Sequence, residues 1–289
     1  MSLLSSFLSS NLPSEAAVAQ QKAYVTYNFS RIDASVTLLE SRSVISSSGT
    51  TGLRTWEAAL HLGSYLASSR EIVAGKNVLE LGAGTGILSV LCAKGLGVNR
   101  SMATDGDEGV VDALKSNIFL NGLEGSRKIE ASVLRWGRTI RTTAFEEDFD
   151  DDPYDIVLGA DITYDKTVVP WLASTLRELF DLRPFLEVFI SATIRNKDTF
   201  NAFVRACGKH DDSRSPSAFR LPISPAELDR KFEIIEPLTT TAGRNHLDVT
   251  DVEFEPVPIH RQNGPFYPVE TPIRIVHITS KGSYDSFAV

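Results

Sequence analysis

"VLELGAGTGILS", residues 78–89, decides the fold. Val78, Leu79 and Leu81 make an apolar run with a single carboxylate, Glu80, inside it. Gly82, Gly84 and Gly86 follow at alternate positions, and "GILSVLCAKGLG" then reads as a helix closed by glycine. A buried strand, a glycine turn and a helix in that order let the backbone approach a ligand closely, because residues without a β-carbon leave the space.

Working outward, strand and helix signals alternate. "SMATD" is a strand and "EGVVDALKSNIFLNG" a helix; "KIEASVLRW" and "DIVLGAD" are strands. "TVVPWLASTLRELF" is a helix despite Pro170 in its first turn, "EVFISAT" a strand, and "KDTFNAFVRACG" a helix. Such alternation calls for an α/β domain, a mainly parallel, doubly wound sheet with helices on both faces. "KFEIIEP" and "IRIVHITSK" are the last two strands, joined by the Pro-rich segment 237–272 with no clear helix, so an antiparallel pair is expected at that edge. Before the alternation come "WEAALHLGSYLAS", an amphipathic helix, and the loop "SVISSSGTTGLRT". Residues 1–35 read as a short helix and a tether, and "EEDFDDDPYD" as a solvated loop.

The chain has 289 residues, 42% of them hydrophobic, which is enough for a large core. A net charge of −8 disfavours phosphate backbones, so no nucleic-acid partner is expected. The two cysteines, Cys92 and Cys207, show no metal-ligand spacing and suit a reducing compartment. No positive charge precedes Lys22, which makes a poor signal or transit peptide, and no apolar run approaches a membrane span. The expectation is a monomeric cytoplasmic protein.

A dinucleotide site wants a third glycine at position 87, where this chain has Ile87. That disfavours an NAD-dependent dehydrogenase. Glu80 within an apolar strand needs a cation or backbone amides to satisfy it. S-adenosylmethionine carries an ammonium and a sulfonium and no phosphate, so it fits better than a pyrophosphate. Asp105 ends the following strand about 20 residues on, where a carboxylate accepts both ribose hydroxyls; helix capping is its competing role, and Asp107 is the weaker ribose candidate. Trp136, at the end of the next strand, offers a ring to adenine or to the core.

"VLELGAGTG" with its strand-end Asp resembles the seven-strand S-adenosylmethionine-dependent methyltransferases. "GLRTWEAALHLGSYL" and "ADITYD" resemble the helix before the cofactor loop and the Asp-x-x-Tyr motif of the family-16 protein methyltransferases. "TLLESRSVISSSGTTGLRTWEAAL" and "SATIRNKDTFNAF" resemble the branch that methylates a lysine of elongation factor 2. The resemblance implies a Rossmann-like, seven-stranded sheet with an antiparallel C-terminal strand. It would comprise residues 51–289, after an N-terminal extension over 1–50 that faces the substrate.

It further implies that Glu80, Gly82, Gly84 and Gly86 line the methionine and ribose end of the cofactor, with Asp105 on the ribose and Trp136 on the adenine. Trp56 would lie against the methionine portion, and Ala160 would add backbone contacts. Arg135 stands where several family members carry an acidic residue for adenine's amino group. Asp161 and Tyr164 would hold the target lysine, with S-adenosylhomocysteine as the product. Methylation of another protein or of a small molecule is the alternative. His61 and His246 have no partner at catalytic spacing, and the serines 46–48 read as a flexible loop.

Overall fold

A computed structural model describes residues 21–41, 51–140, 152–208 and 247–280. Seven strands form one sheet: β3 (Asn77–Leu81), β4 (Arg100–Asp105), β5 (Ile129–Val133), β6 (Ile156–Ala160), β7 (Glu187–Thr193), β8 (Leu247–Val252) and β9 (Ile273–Ser280). Their spatial order is β5-β4-β3-β6-β7-β9-β8, and only β9 runs against its neighbours. The expected parallel, doubly wound sheet with an antiparallel C-terminal strand is present.

Sequence pattern explains which face each strand residue takes. Side chains alternate across a pleated sheet. Val78, Ala103, Ile156, Leu158 and Phe189 join one core, with helices α1 (Glu57–Ser68), α2 (Ile87–Leu91) and α3 (Glu108–Leu120). Leu79, Leu81, Met102, Val157, Val188 and Ile190 join the other, with α4 (Val169–Leu182) and α5 (Lys197–Gly208). Every residue of β3 is buried, as a central parallel strand covered on both faces must be. Pro170 sits in the first turn of α4, where its missing N–H costs nothing. Among the described residues no helix is long and apolar enough to cross a membrane.

Two sequence expectations are corrected. Residues 22–35 are not helix and tether: β1 (Lys22–Phe29) and β2 (Ala34–Ser41) form an antiparallel hairpin. "KAYVTYNF" and "ASVTLLES" alternate with period two and are rich in β-branched and aromatic residues, a strand signal obscured by the Ser- and Ala-rich lead. Phe29, Val36 and Leu38 bury into the first core, and the side chains of Asn117 on α3 and of Asn121, which caps its C-terminus, bond the backbone of β2. The strand before β9 is also not where it was expected. "KFEIIEP" lies outside the described residues, and the partner of β9 is "LDVTDV", within the segment read as a loop. "LDVTDV" carries two aspartates, and its alternation is too short and too polar to register as a strand.

Beyond β8 the chain folds back over α1. His61, fully buried, places Nδ1 2.9 Å from the Tyr267 hydroxyl and Nε2 3.1 Å from the Phe254 carbonyl oxygen. It is a core histidine, one of the two placements, surface or core, that its isolation in sequence allowed. Burial pushes its pKa down to about 4 from 6.5. The native state therefore keeps it neutral where the unfolded chain already binds a proton, so stability falls as pH drops from about 6.5 to about 4. The loss amounts to about 3 kcal/mol by pH 4. Denaturant titrations across that range, compared with His61→Gln, should show this slope in the native protein and a shallower one in the variant.

Candidate active site

The order of the sheet reverses between β3 and β6: from β3 the chain winds outward through β4 and β5, then returns to β6. Ligands bind open α/β sheets at such a reversal, beyond the carboxyl ends of the strands. Register brings those ends level there, with Leu81 opposite both Thr104 and Gly159. The glycine turn, Asp105 and Asp161 therefore meet at one edge.

The turn is held in a form that requires glycine. Gly82, Gly84 and Gly86 have φ of 64°, 54° and 84°, in the left-handed region. A β-carbon on Gly84 would stand 3.0 Å from the Gly52 carbonyl oxygen, so "TGLRTW", residues 51–56, packs directly on the turn. Thr55 fixes that packing: its hydroxyl is 2.8 Å from that of Thr85, and its amide donates to Glu40 Oε2 on β2 at 3.1 Å. Glu40 also accepts from the Tyr27 hydroxyl at 2.9 Å. Glu40, Gly52, Thr55 and Thr85 were not singled out by sequence reading.

Glu80 is buried at the floor of the site. Its Oε2 accepts from both the amide and the hydroxyl of Ser89 in α2, one backbone and one side-chain donor. Burial pushes its pKa up to about 7, against the lowering effect of Ser89. Asp105 accepts from the amides of Gly84 and Asp107, both at 3.1 Å. Burial raises its pKa, and those amides oppose the rise. The cap of α3 is Asp107, whose Oδ1 accepts from Val110 at 3.0 Å. Capping therefore does not occupy Asp105.

Trp136 lies three residues past β5 rather than at its end, because the strand stops at Val133. Its half-buried ring still reaches the turn: a β-carbon on Gly82 would meet it at 3.3 Å, and Ile162 at 2.7 Å. Arg135 points elsewhere and pairs with Glu108 at 2.9 Å. Trp56, just before α1, donates its indole N–H to the Thr51 carbonyl at 3.2 Å, and the guanidiniums of Arg54 and Arg195 lie 5.1 and 4.9 Å from its ring.

Ala160 closes β6, and Asp161 follows with φ of 52°, unusual for a residue with a side chain. Its amide extends the sheet by donating to the Ser191 carbonyl at 2.8 Å. Its Oδ1 accepts from the Thr193 amide at 2.7 Å, and Oδ2 from the Thr193 hydroxyl at 3.0 Å and from Arg195 at 3.4 Å. Burial raises the Asp161 pKa; Thr193 and Arg195 oppose it. Tyr164 is 60% exposed, its hydroxyl 3.4 Å from that of Thr51, so it stands at the mouth and not in the core.

The chain that carries this arrangement, a buried carboxylate at the carboxyl end of β6 beside a glycine turn braced by Asp105, is similar to known proteins. The family model described as lysine methyltransferase matches residues 41–208. The protein-lysine N-methyltransferase EFM3 of Chaetomium thermophilum is 48% identical over 237 residues, 80% of this chain and 70% of that protein. The chain belongs to the lysine methyltransferase family. That bears out the expected family and enzyme class. EFM3 of Saccharomyces cerevisiae is 37% identical, and the protein-lysine N-methyltransferase EEF2KMT of Homo sapiens 32% identical. Those matches cover 65% and 71% of this chain, but only 57% and 62% of the two relatives. A structure from Streptococcus mutans described as a SAM-dependent methyltransferase superposes with a TM-score of 0.50 at 12% identity, over 90% of this chain and 56% of that one, and supports the fold. Within the lysine methyltransferase family, the "TGLRTW" run gains a physical reason here: it is the clasp between hairpin, α1 and glycine turn.

Proposed function

We propose that this chain transfers a methyl group from S-adenosylmethionine to a lysine side chain of translation elongation factor 2. The observation that carries the proposal is Asp161, a buried carboxylate at the topological switch point beside the glycine turn. The names of the human, mouse and cattle relatives supply the substrate.

The residues present fit the cofactor. Gly82 lets the backbone lie directly against Ile162 and Trp136, where a β-carbon would stand 2.7 and 3.3 Å from their side chains, and Asp105 presents a carboxylate free of helix capping for the ribose hydroxyls. Trp136 supplies an aromatic face for adenine, Trp56 and the Gly82–Gly86 turn the walls for the methionine end, and Ala160 a backbone contact. When bound, S-adenosylmethionine supplies an activated methyl group.

The chain's own task is then positioning. A free lysine, with a pKa of about 10.4, is neutral in only about one molecule in a few thousand at pH 7. It must lose a proton to solvent before it attacks. Asp161 already accepts two hydrogen bonds from Thr193, which fix its orientation and weaken it as a base. It is an acceptor that aims the amine, and Tyr164 walls the mouth. A carboxylate also tolerates the cationic methylated product, so repeated transfer is compatible with the site.

The hairpin and the segment after β8 frame the docking surface for the folded substrate. They touch: the Ser30 hydroxyl donates to the Asn263 carbonyl at 2.5 Å, and Gly264 packs on Asn28. Val257, Ile259 and Phe266 expose apolar side chains on the same segment.

Labelled S-adenosylmethionine incubated with the chain and elongation factor 2 purified without the modification tests the proposal. Label on one lysine is expected, mapped by mass spectrometry. Turnover of other proteins but not of elongation factor 2 would reject the substrate and retain the enzyme class.

A further inference from the structure

Resting on the lysine-holding role of Asp161, we infer that Arg195 is the resident cation of the lysine site, its guanidinium occupying a place between Asp161, Glu57 and Trp56 that the substrate ammonium takes over. The two kinds of partner that Asp161 has are held very differently. Thr193 bonds it at 2.7 and 3.0 Å from the adjacent strand β7 and is fixed by the sheet. Arg195 reaches it at 3.4 Å while also reaching Glu57 at 3.5 Å. Charge-assisted N–H···O bonds settle at about 2.7–2.9 Å, so the guanidinium is stretched between two carboxylates and optimal with neither.

Exposure points the same way. The Asp161 side chain is 5% exposed and that of Glu57 18%, whereas that of Arg195 is 43% exposed. The acceptors are built into the fold, and the cation that spans them comes from the surface. Its flat group lies 4.9 Å from the Trp56 ring. Two carboxylates and an aromatic face are the acceptor set that an alkylammonium prefers, and the ring retains its attraction as methyl groups replace N–H donors.

There is also somewhere for Arg195 to go. A cavity of about 230 Å³ opens beside it, lined by Trp56, Glu57, Thr193, Pro268, Glu270 and Thr271. Ligand pockets for drug-sized molecules run to about 300–1,000 Å³, so this one suits a side chain. Glu270, in the same lining, offers the displaced guanidinium a second carboxylate. The device keeps a buried carboxylate paired when no lysine is present, and it makes a weakly cationic or neutral side chain a poor competitor.

The cost of displacement is that of a half-exposed ion pair, up to about fivefold in affinity. Arg195→Met keeps the stem and removes the charge. With elongation factor 2 as substrate, KM should fall by up to about fivefold and kcat/KM rise accordingly. Arg195→Lys restores a cation and should return KM toward wild type. Loss of a merely structural pair does not improve substrate affinity, so a KM that is unchanged or raised in Arg195→Met overturns the inference. If Arg195→Met fails to fold, shown by lost S-adenosylhomocysteine binding, Arg195→Gln carries the same expectation. Asp161→Asn separates the two levels. Wild-type kcat in Asp161→Asn removes the lysine-site reading itself; an inactive Asp161→Asn with unchanged KM in Arg195→Met removes only the resident cation.

Discussion

Asp161→Asn should lower kcat for methyl transfer by about a hundredfold or more, the size of effect expected when a reacting group is misaimed by about 1 Å. The substitution is chosen for what it preserves. Asparagine tolerates the left-handed backbone at this position, and its amide oxygen can still accept from the Thr193 amide. Alanine would leave that buried N–H unsatisfied, at about 1–3 kcal/mol, and would confuse stability with chemistry. What asparagine lacks is charge: it neither attracts an ammonium nor accepts with both oxygens. S-adenosylhomocysteine affinity should stay within about threefold of wild type, since Asp161 is not asked to hold the cofactor. Rapid-quench or steady-state assays with labelled cofactor read the first quantity and calorimetry the second. A variant that binds product normally and turns over normally would refute the role.

Asp105→Ala should raise the dissociation constant for S-adenosylhomocysteine by about a hundredfold. Two hydroxyl groups donating to one carboxylate are worth about 1.5–3 kcal/mol each, and part of that returns when water fills the space. Asp105 also braces the turn through the Gly84 amide, so Asp105→Asn is the control, since its carbonyl oxygen can keep that brace. If bracing were the whole role, Asp105→Asn would bind like wild type. If the ribose is held, both variants lose affinity, the alanine more. Calorimetric constants within threefold of wild type for both would contradict the ribose assignment.

The parts of the fold legible in sequence were those carried by local pattern. The parallel core strands announce themselves as apolar runs bounded by turns, and the Gly82–Gly86 turn is legible because its backbone angles admit little else. Asp105 and Asp161 follow from their positions at strand ends. The hairpin was hidden because its alternation sits between a Ser- and Ala-rich lead and a Ser-rich loop. Once residues 34–41 are aligned with period two, Val36, Leu38 and Glu40 share the inward face. A carboxylate there stands out as Glu80 does in β3, and both turn out to anchor the site through backbone amides.

What stayed illegible was contact across long sequence separation. Thr55 meets Thr85, and Arg195 meets Asp161 and Glu57, through the register of β6 on β7 and the approach of α1 to the sheet. Neither residue lies on a periodic face, and arginine after a strand is usually solvated. Only the quoted runs "GLRTW" and "SATIRNK" marked these stretches as worth attention, without saying which atoms would touch. Tyr164 shows the converse limit. Its spacing from Asp161 was visible, but its place at an exposed mouth, against Thr51, was not.

The most direct test of the account is a crystal structure of the chain with S-adenosylhomocysteine. The product should lie beyond the carboxyl ends of β3, β4 and β6. Its ribose hydroxyls should lie within hydrogen-bond reach of Asp105, its adenine against Trp136, and its sulfur should face the opening between Trp56, Asp161 and Tyr164. Product bound elsewhere on the chain, or bound with the sulfur turned away from Asp161, would contradict it.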